Sequence, residues 1–113
     1  MAHYLAELYS PKQAWLNLSS EERLYFLNQV GAAMPALAAL GVEAISLGTI
    51  DQTKLSSSKN SFYAIWRCND NVALDALVNG IAQSGWHTYF DTINAGGEGG
   101  DFNDHLQQLI ALN

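Results

Sequence analysis

The residue best suited to chemistry is Arg67, the only cation in the aromatic and β-branched run from Ser61 to Cys68. A guanidinium presents a planar fork of N–H donors to carboxylate or carbonyl oxygens, which suits it to bind an anion or to stabilise an enolate. Because side chains alternate across a strand, Tyr63 and Arg67 share one face of this run and Trp66 lies on the other. Packing alone does not explain a cation at this position.

The first strand of the chain offers partners for this arginine. Glu7 and Tyr9 lie two residues apart in the run from His3 to Tyr9, which alternates as a strand does. We expect Arg67 to lie in a cavity, or at its rim, beside Glu7 and Tyr9. The alternative is that Arg67 pairs with Glu7 or Asp91 across strands or between subunits, since such ion pairs are common.

A second set of polar groups lies closer to the end of the chain. His87, Tyr89 and Asp91 alternate, so on a strand they share one face and offer a base, a phenol and a carboxylate. His87 and Asp91 would be about 13 Å apart along that strand, which excludes a direct dyad. A structural role for His87 is the alternative. Asn94 either orients a ligand carbonyl or closes the turn before the glycines that follow.

The sequence does not predict a metal site or a cofactor. The three histidines are scattered, and a single cysteine builds neither a thiolate zinc site nor an internal disulfide. The glycine-rich run 96–100 precedes a helix pattern as a phosphate loop does, but acidic residues flank it and no P-loop lysine follows. We interpret this run as a flexible joint.

Composition limits the class of protein. The 113 residues are 49% hydrophobic and 14% charged, which predicts one compact domain over 1–113. Eleven acidic and five basic residues give a net charge of -6, so we expect no nucleic-acid partner. The sequence shows no signal-peptide pattern. It also contains no apolar run of the roughly 20 residues that are needed to cross a bilayer. We therefore expect a cytoplasmic protein with no membrane partner.

Strand and helix patterns alternate along the chain. Ser19 and Glu22 form a capping-box sequence before an apolar stripe at spacings of three and four. Pro35 should kink or break this helix near Gly31 to Met34. The predicted elements are strands at His3–Tyr9, Val42–Ile50, Ser61–Cys68 and Trp86–Ala95, one kinked helix from Ser19 to Leu40, a second helix capped by Asn69 or Asp70 and ended by Gly85, and a terminal helix capped by Asp101.

This order of elements predicts an α+β fold of the ferredoxin-like type. Two βαβ units with right-handed crossovers interleave as a four-stranded antiparallel sheet, βαββαβ, with helices on one face and an additional C-terminal helix. The first and third strands are then the central pair. The other face of the sheet is left uncovered and apolar, which favours a homodimer through this open face.

Three segments carry a resemblance to known proteins. They are the opening His3-Tyr4-Leu5, the strand Tyr63-Ala64-Ile65-Trp66-Arg67, and Gly85-Trp86-His87-Thr88-Tyr89-Phe90-Asp91 with Asn94. Together with the topology they resemble the dimeric α+β barrel superfamily, which includes the antibiotic-biosynthesis monooxygenase, EthD-like, YCII-like and GYD-type families. The last segment, with Trp66-Arg67, is also similar to a small bacterial group of uncharacterised domains. The paired His and Asp of the YCII-like pattern are absent, so a hydrolase or dehalogenase-like transfer is not implied.

Two functions from different classes follow. The first is a homodimeric domain that binds a mostly apolar small molecule in a sheet-lined cavity; the resemblance implies cofactor-independent oxygenation or isomerisation, with Arg67 as electrostatic stabiliser and Tyr9 or His87 as proton shuttle. The residues expected to contact the ligand are Glu7, Tyr63, Tyr89, Asp91 and Asn94. The second is a non-catalytic dimerisation or ligand-sensing module, in which the same residues only build an interface.

Overall fold

The structure, a computed structural model, describes the whole chain from Met1 to Asn113. Its strands are β1 (His3–Pro11), β2 (Val42–Thr49), β3 (Phe62–Cys68) and β4 (Phe90–Glu98), and its helices are α1 (Gln13–Leu16), α2 (Ser20–Ala32), α3 (Met34–Ala39), α4 (Asn71–Gln83), α5 (Trp86–Tyr89) and α6 (Phe102–Ile110). The strands form one antiparallel sheet in the order β2-β3-β1-β4. The predicted ferredoxin-like α+β fold, with β1 and β3 central, is confirmed. None of the helices is long and apolar enough to cross a membrane.

The main core lies between α4 and one face of the sheet. Strand alternation places Leu5 and Trp66 on this face, where both are buried together with Leu77 of α4. The start of α4 is fixed by Asp70, whose side chain accepts a hydrogen bond from the N–H of Ala73 at 2.8 Å. We call this side of the sheet the helix face, and the opposite side the open face.

The helix predicted from Ser19 to Leu40 is in fact two helices. Its capping box is confirmed, because Ser19 and Glu22 each accept a hydrogen bond from the other's backbone N–H. The helix breaks at Ala33, and Pro35 lies in the first turn of α3, where its missing N–H has no intrahelical partner to lose. The prediction of a single kinked helix is wrong for this reason.

The apolar stripe of α2 is not packed into a core. No residue of α2 is buried, and both Leu24 and Leu27 are exposed. Leu27 and Val30 border open space between α2 and the sheet. The predicted apolar stripe of α2 is therefore not buried, and the space beneath this helix is the cavity described below.

The chain after α4 turns before it enters the last strand. Gly85 has φ of +87°, a left-handed conformation that glycine adopts without steric cost, and the N–H of Thr88 donates to the Gly85 carbonyl oxygen at 3.0 Å. The residues from Trp86 to Tyr89 therefore form the short helix α5. The strand predicted from Trp86 begins four residues later, at Phe90.

The first three residues of the glycine-rich run, 96–98, are the end of strand β4. Gly96 and Gly97 belong to β4 and pair with Leu5 and Tyr4 of β1. A side chain at Gly99 would collide with the ring of Tyr4. Close approach of the Tyr4 ring explains Gly99, whereas Gly97 has open space around it. Because residues 96–98 are strand residues paired with β1, the prediction of a hinge over the whole of 96–100 is wrong.

Candidate functional site

A cavity of about 910 Å³ separates the helix face of the sheet from α2 and α3, with α4 and α5 along its side. Ala44 and Leu47 of the edge strand β2 belong to the lining and are exposed, so the cavity opens to solvent at this edge. The lining residues are mostly hydrophobic: Glu7, Tyr9, Leu27, Gln29, Val30, Gly31, Ala33, Met34, Ala36, Leu37, Ala44, Leu47, Trp66, Leu77, Gly80, Ile81, Gln83, Ser84 and Trp86.

Glu7 is the one charged residue of this lining. It is only 3% exposed, and its carboxylate accepts a single hydrogen bond, from the indole N–H of Trp66 at 3.3 Å. Burial raises the pKa of the Glu7 carboxyl above its usual value, an effect that the Trp66 hydrogen bond and the charge of His87 offset only in part. No ion pair compensates this carboxylate. The site therefore holds a proton-accepting group in apolar surroundings.

Tyr9 lies two residues along β1 from Glu7 and shares the helix face with it. Its ring belongs to an aromatic cluster, with centroids 5.1 Å from Trp86, 5.5 Å from Phe90 and 5.6 Å from Phe62. Burial, and next the charge of Glu7, raise the pKa of the Tyr9 hydroxyl. Tyr9 is thus a neutral phenol beside the carboxylate.

Replacing Glu7 by glutamine is expected to stabilise the fold at neutral pH by about 1 to 3 kcal/mol, the usual cost of a buried polar group without full compensation. The pKa of Glu7 is raised in the folded state, so the unfolded chain loses this proton first as the pH rises. The wild-type free energy of unfolding therefore falls from the usual carboxyl pKa up to the folded pKa and stays lowered above it. Chemical denaturation at pH 4 and pH 7 measures the difference.

The matched control for this experiment is Glu43→Gln, which removes an exposed carboxylate from β2. We expect the stability gain of Glu7→Gln to shrink toward zero below the usual carboxyl pKa, and Glu43→Gln to change little at either pH. A gain of the same size at both pH values, or a loss at pH 7, would contradict the account of Glu7 as an uncompensated carboxylate.

Arg67 does not join Glu7 and Tyr9. The strand register pairs it with Tyr4 of β1 and Glu43 of β2, so its side chain lies on the open face. Its guanidinium donates to the side-chain oxygen of Asn69 at 3.2 Å and forms no ion pair. The predicted cavity combining Arg67 with Glu7 and Tyr9 is therefore wrong, because the sheet separates the two groups. The alternative pairing with Glu7 or Asp91 is not formed within the chain either.

His87 and Tyr89 do not alternate on a strand, because α5 is helical there. His87 is exposed, and its carbonyl oxygen accepts a hydrogen bond from the Lys12 ammonium at 2.6 Å. The ring of Tyr89 packs against Phe26 and Trp15, with centroids 4.8 and 5.5 Å away. The predicted shared face of His87, Tyr89 and Asp91 is wrong. Neither His87 nor Tyr89 belongs to the lining of the cavity.

The remaining predicted ligand contacts are dispersed. The Tyr63 hydroxyl lies 3.0 Å from the Ser46 hydroxyl on the open face, and the exposed Asp91 lies 3.9 Å from the Lys12 ammonium. Asn94 is exposed on β4, where it pairs with Glu7 and shares the helix face but lies outside the cavity lining. Of all the predicted site residues, the structure brings only Glu7 and Tyr9 together in the cavity. No three His, Cys, Asp or Glu side chains lie close enough to hold a metal ion.

Several residues of the cavity were missed by sequence reasoning. Gly31 and Gly80 lie inside helices that face each other across the cavity, and a β-carbon added at either would meet no atom within 4 Å. An isolated glycine in a helical pattern was the available signal, since it costs stability and so indicates a local need for space. Trp86, which sequence reasoning did not assign to the site, lines the cavity, and its buried indole N–H has no hydrogen-bond partner.

The model of a family of unknown function, DUF6616, matches residues 2–112. The chain belongs to this family. No curated protein sequence matches this DUF6616 chain. Solved structures do resemble it.

The structural neighbours of the DUF6616 chain share its fold at low identity. A mutant chlorite dismutase from Candidatus Nitrospira defluvii has a TM-score of 0.63 at 5% identity, over 96% of this chain and 47% of that one. A dabb family protein with a ferredoxin-like fold from Mesorhizobium loti has a TM-score of 0.53 at 16% identity, over 88% and 98%. The chain thus spans about half the length of the chlorite dismutase chain. At these identities the likeness shows the fold alone.

Proposed function

We propose that this chain is a small-molecule-binding domain whose ligand, mostly apolar with one polar end, occupies the cavity above Glu7. The observation that carries the proposal is the combination of a large apolar cavity with one buried carboxylate at its floor. A volume of about 910 Å³ lies at the upper end of the range for pockets that hold small molecules. Such pockets typically combine hydrophobic walls with a few placed polar groups, as this one does.

The polar groups at the floor of the cavity are explained better by ligand binding than by a contribution to folding stability. A carboxylate that accepts one neutral hydrogen bond in apolar surroundings destabilises a protein, because desolvation is not compensated. Proteins retain such groups mainly where function needs them. Glu7 and the unpartnered indole N–H of Trp86 are two such groups at one cavity. A bound polar end that meets Glu7 supplies the missing interaction.

The reaction class that fits this floor is proton transfer. A carboxyl whose pKa is raised above its usual value is a stronger base than an ordinary carboxylate, and Tyr9 lies beside it as a neutral phenol. A cofactor-independent isomerisation, or an oxygenation that begins with loss of a substrate proton, would therefore start at Glu7. The proton-shuttle role that sequence reasoning gave to Tyr9 or His87 is assigned here to Glu7, with Tyr9 beside it. The stabilising role given to Arg67 has no cation to fill it in this cavity.

A titration with N-phenyl-1-naphthylamine, a neutral apolar fluorophore, tests the binding proposal. We expect saturable fluorescence enhancement with about one site per chain and a rise in the midpoint of thermal unfolding. The nearby indoles of Trp66 and Trp86 provide a second signal, since their emission should be quenched as the fluorophore binds. Absence of saturable binding together with an unchanged midpoint would contradict the proposal.

A second candidate function, a non-catalytic homodimerisation or ligand-sensing module, is favoured by two uncovered apolar surfaces. Ile93 on the open face is 62% exposed, and every residue of α6 is exposed, including Phe102 and Ile110. An isolated nine-residue helix is marginal in water, so α6 requires a packing partner to be stable. A second copy of the chain on the open face is the simplest cover. The cytoplasmic location expected from the sequence stays a prediction.

The variant Ile93→Asp is expected to convert the homodimer to a monomer. A carboxylate placed in the middle of an apolar interface is desolvated without a partner, which weakens association by about 2 kcal/mol or more. Light scattering should give twice the 12.3 kDa chain mass for the wild type and one chain mass for the variant. The control Leu55→Asp changes an equally apolar but 98% exposed side chain in the loop before β3 and should remain dimeric. A monomeric wild type would contradict this candidate.

A further inference from the structure

The lining of the cavity contains an acidic side chain and no basic one. The acidic group is the Glu7 carboxylate, and the lining has no lysine, arginine or histidine. The five basic residues of the chain lie elsewhere: Lys12, Arg23, Lys54, Lys59 and Arg67. An anionic ligand entering this cavity would therefore meet a like charge and find no cation to pair with.

Two of these basic side chains, Lys12 and Arg23, contact other groups, and Arg67, which follows the lining residue Trp66, lies on the opposite face of the sheet. The Lys12 ammonium donates to the carbonyl oxygen of His87 at 2.6 Å and lies 3.9 Å from Asp91. The Arg23 guanidinium donates to two carbonyl oxygens of α1 and lies over the ring of Trp15, 5.7 Å from its centroid. Neither cation is available to pair with Glu7, so the place of an ion-pair partner beside this carboxylate is left for a ligand.

Aromatic rings surround the same carboxylate. Trp66 donates its indole N–H to Glu7, and the rings of Tyr9 and Trp86, in edge-to-face contact at 5.1 Å, line the adjoining wall. Ammonium groups are attracted to the faces of such rings, most strongly where water is excluded. One carboxylate and three aromatic rings in an apolar cavity form a set that suits a cation.

We propose that the cavity selects ligands with a cationic amine at the polar end and an apolar body, and that it rejects carboxylates and phosphates. The inference rests on the proposed function and names the ligand class of the same site. An ammonium ion entering the cavity pairs with Glu7 and contacts the aromatic wall, while its hydrocarbon part fills the space beneath α2. Neutral molecules of the same shape bind through the hydrocarbon part alone.

Three probes with the same eight-carbon chain, n-octylamine, 1-octanol and octanoate, test this selectivity by displacing N-phenyl-1-naphthylamine at neutral pH and physiological salt. We expect the amine to displace the fluorophore at a concentration about tenfold below that of the alcohol, and octanoate to be the weakest. In Glu7→Gln the amine and the alcohol should become equal within about threefold. The thermal midpoint with each probe gives an independent ranking.

The net charge of -6 attracts amines to the whole surface, so a matched charge control is needed. Asp75→Asn removes one carboxylate from the exposed side of α4, outside the cavity, and should keep the full preference for the amine. Equal loss of preference in Asp75→Asn and Glu7→Gln would overturn the inference. Octanoate binding as tightly as the amine would overturn it too, while leaving the binding proposal standing. If no probe displaces the fluorophore and none raises the midpoint, both proposals fail.

Discussion

Gly80→Leu is expected to weaken ligand binding at least about a hundredfold while leaving the fold intact. Gly80 lies in α4 at the wall of the cavity, and a β-carbon there meets no atom within 4 Å. A leucine side chain at this position occupies space that the ligand needs, and overlap of this kind is not relieved in a packed wall. Leucine is also the better helix former, so the free energy of unfolding should rise by about 0.5 to 1 kcal/mol.

The control for this variant is Gly97→Leu, the same change at a glycine of β4 that also has open space around it but lies outside the cavity. Fluorophore titration of both variants separates blocking of the cavity from a general effect of a larger side chain. Binding should be lost in Gly80→Leu and kept in Gly97→Leu. Equal affinity for the fluorophore in Gly80→Leu and the wild type would place the binding site elsewhere on the molecule.

Leu5→Ala is expected to lower the free energy of unfolding by about 2 to 5 kcal/mol, the range for removing a buried leucine side chain. Leu5 is 1% exposed in the middle of β1, and it belongs to the cluster with Trp66 and Leu77 that joins the sheet to α4. The substitution removes apolar burial and leaves a void that the paired strands on both sides cannot close. For a domain of this size, such a loss is a large part of the total stability.

Denaturant titration of Leu5→Ala and of Leu55→Ala measures this effect with an internal comparison. Leu55 is 98% exposed, so its truncation should change the free energy of unfolding by less than about 0.5 kcal/mol. A destabilisation below 1 kcal/mol for Leu5→Ala would contradict the position of the core between the sheet and α4.

Much of the fold follows from local patterns in the sequence. The capping box at Ser19 and the side-chain cap at Asp70 start their helices where hydrogen-bonding side chains satisfy the first backbone N–H groups. The alternation in β3 correctly places Trp66 on one face and Arg67 on the other. Elements whose geometry depends on neighbouring residues along the chain were therefore predictable.

The candidate site was predicted only in part, because it depends on relations between strands. Alternation fixes which residues of one strand share a face, but the register of pairing decides which faces of two strands coincide. Glu7 pairs with Ala64 and Arg67 pairs with Tyr4, and this register places the sheet between Glu7 and Arg67. No feature within β1 or β3 alone specifies this pairing register.

The cavity beneath α2 was likewise not predictable from a local sequence pattern. The sequence predicted an apolar stripe on α2, and the structure leaves Leu27 of this stripe at the border of a cavity. A pattern of apolar residues shows that a surface avoids water, but it does not distinguish a packed core from the wall of a ligand site. The left-handed turn at Gly85 likewise converted an alternating pattern into the short helix α5.

The central claim is that the cavity above Glu7 is a ligand site, and a crystal structure with 8-bromooctylamine tests it most directly. The anomalous signal of the bromine locates the apolar end without reference to an assumed pose. We predict a bromine peak between α2 and the sheet, with the amine nitrogen within hydrogen-bonding distance of the Glu7 carboxylate. A bromine peak confined to the open face or to α6, with the cavity free of ligand density, would contradict the account.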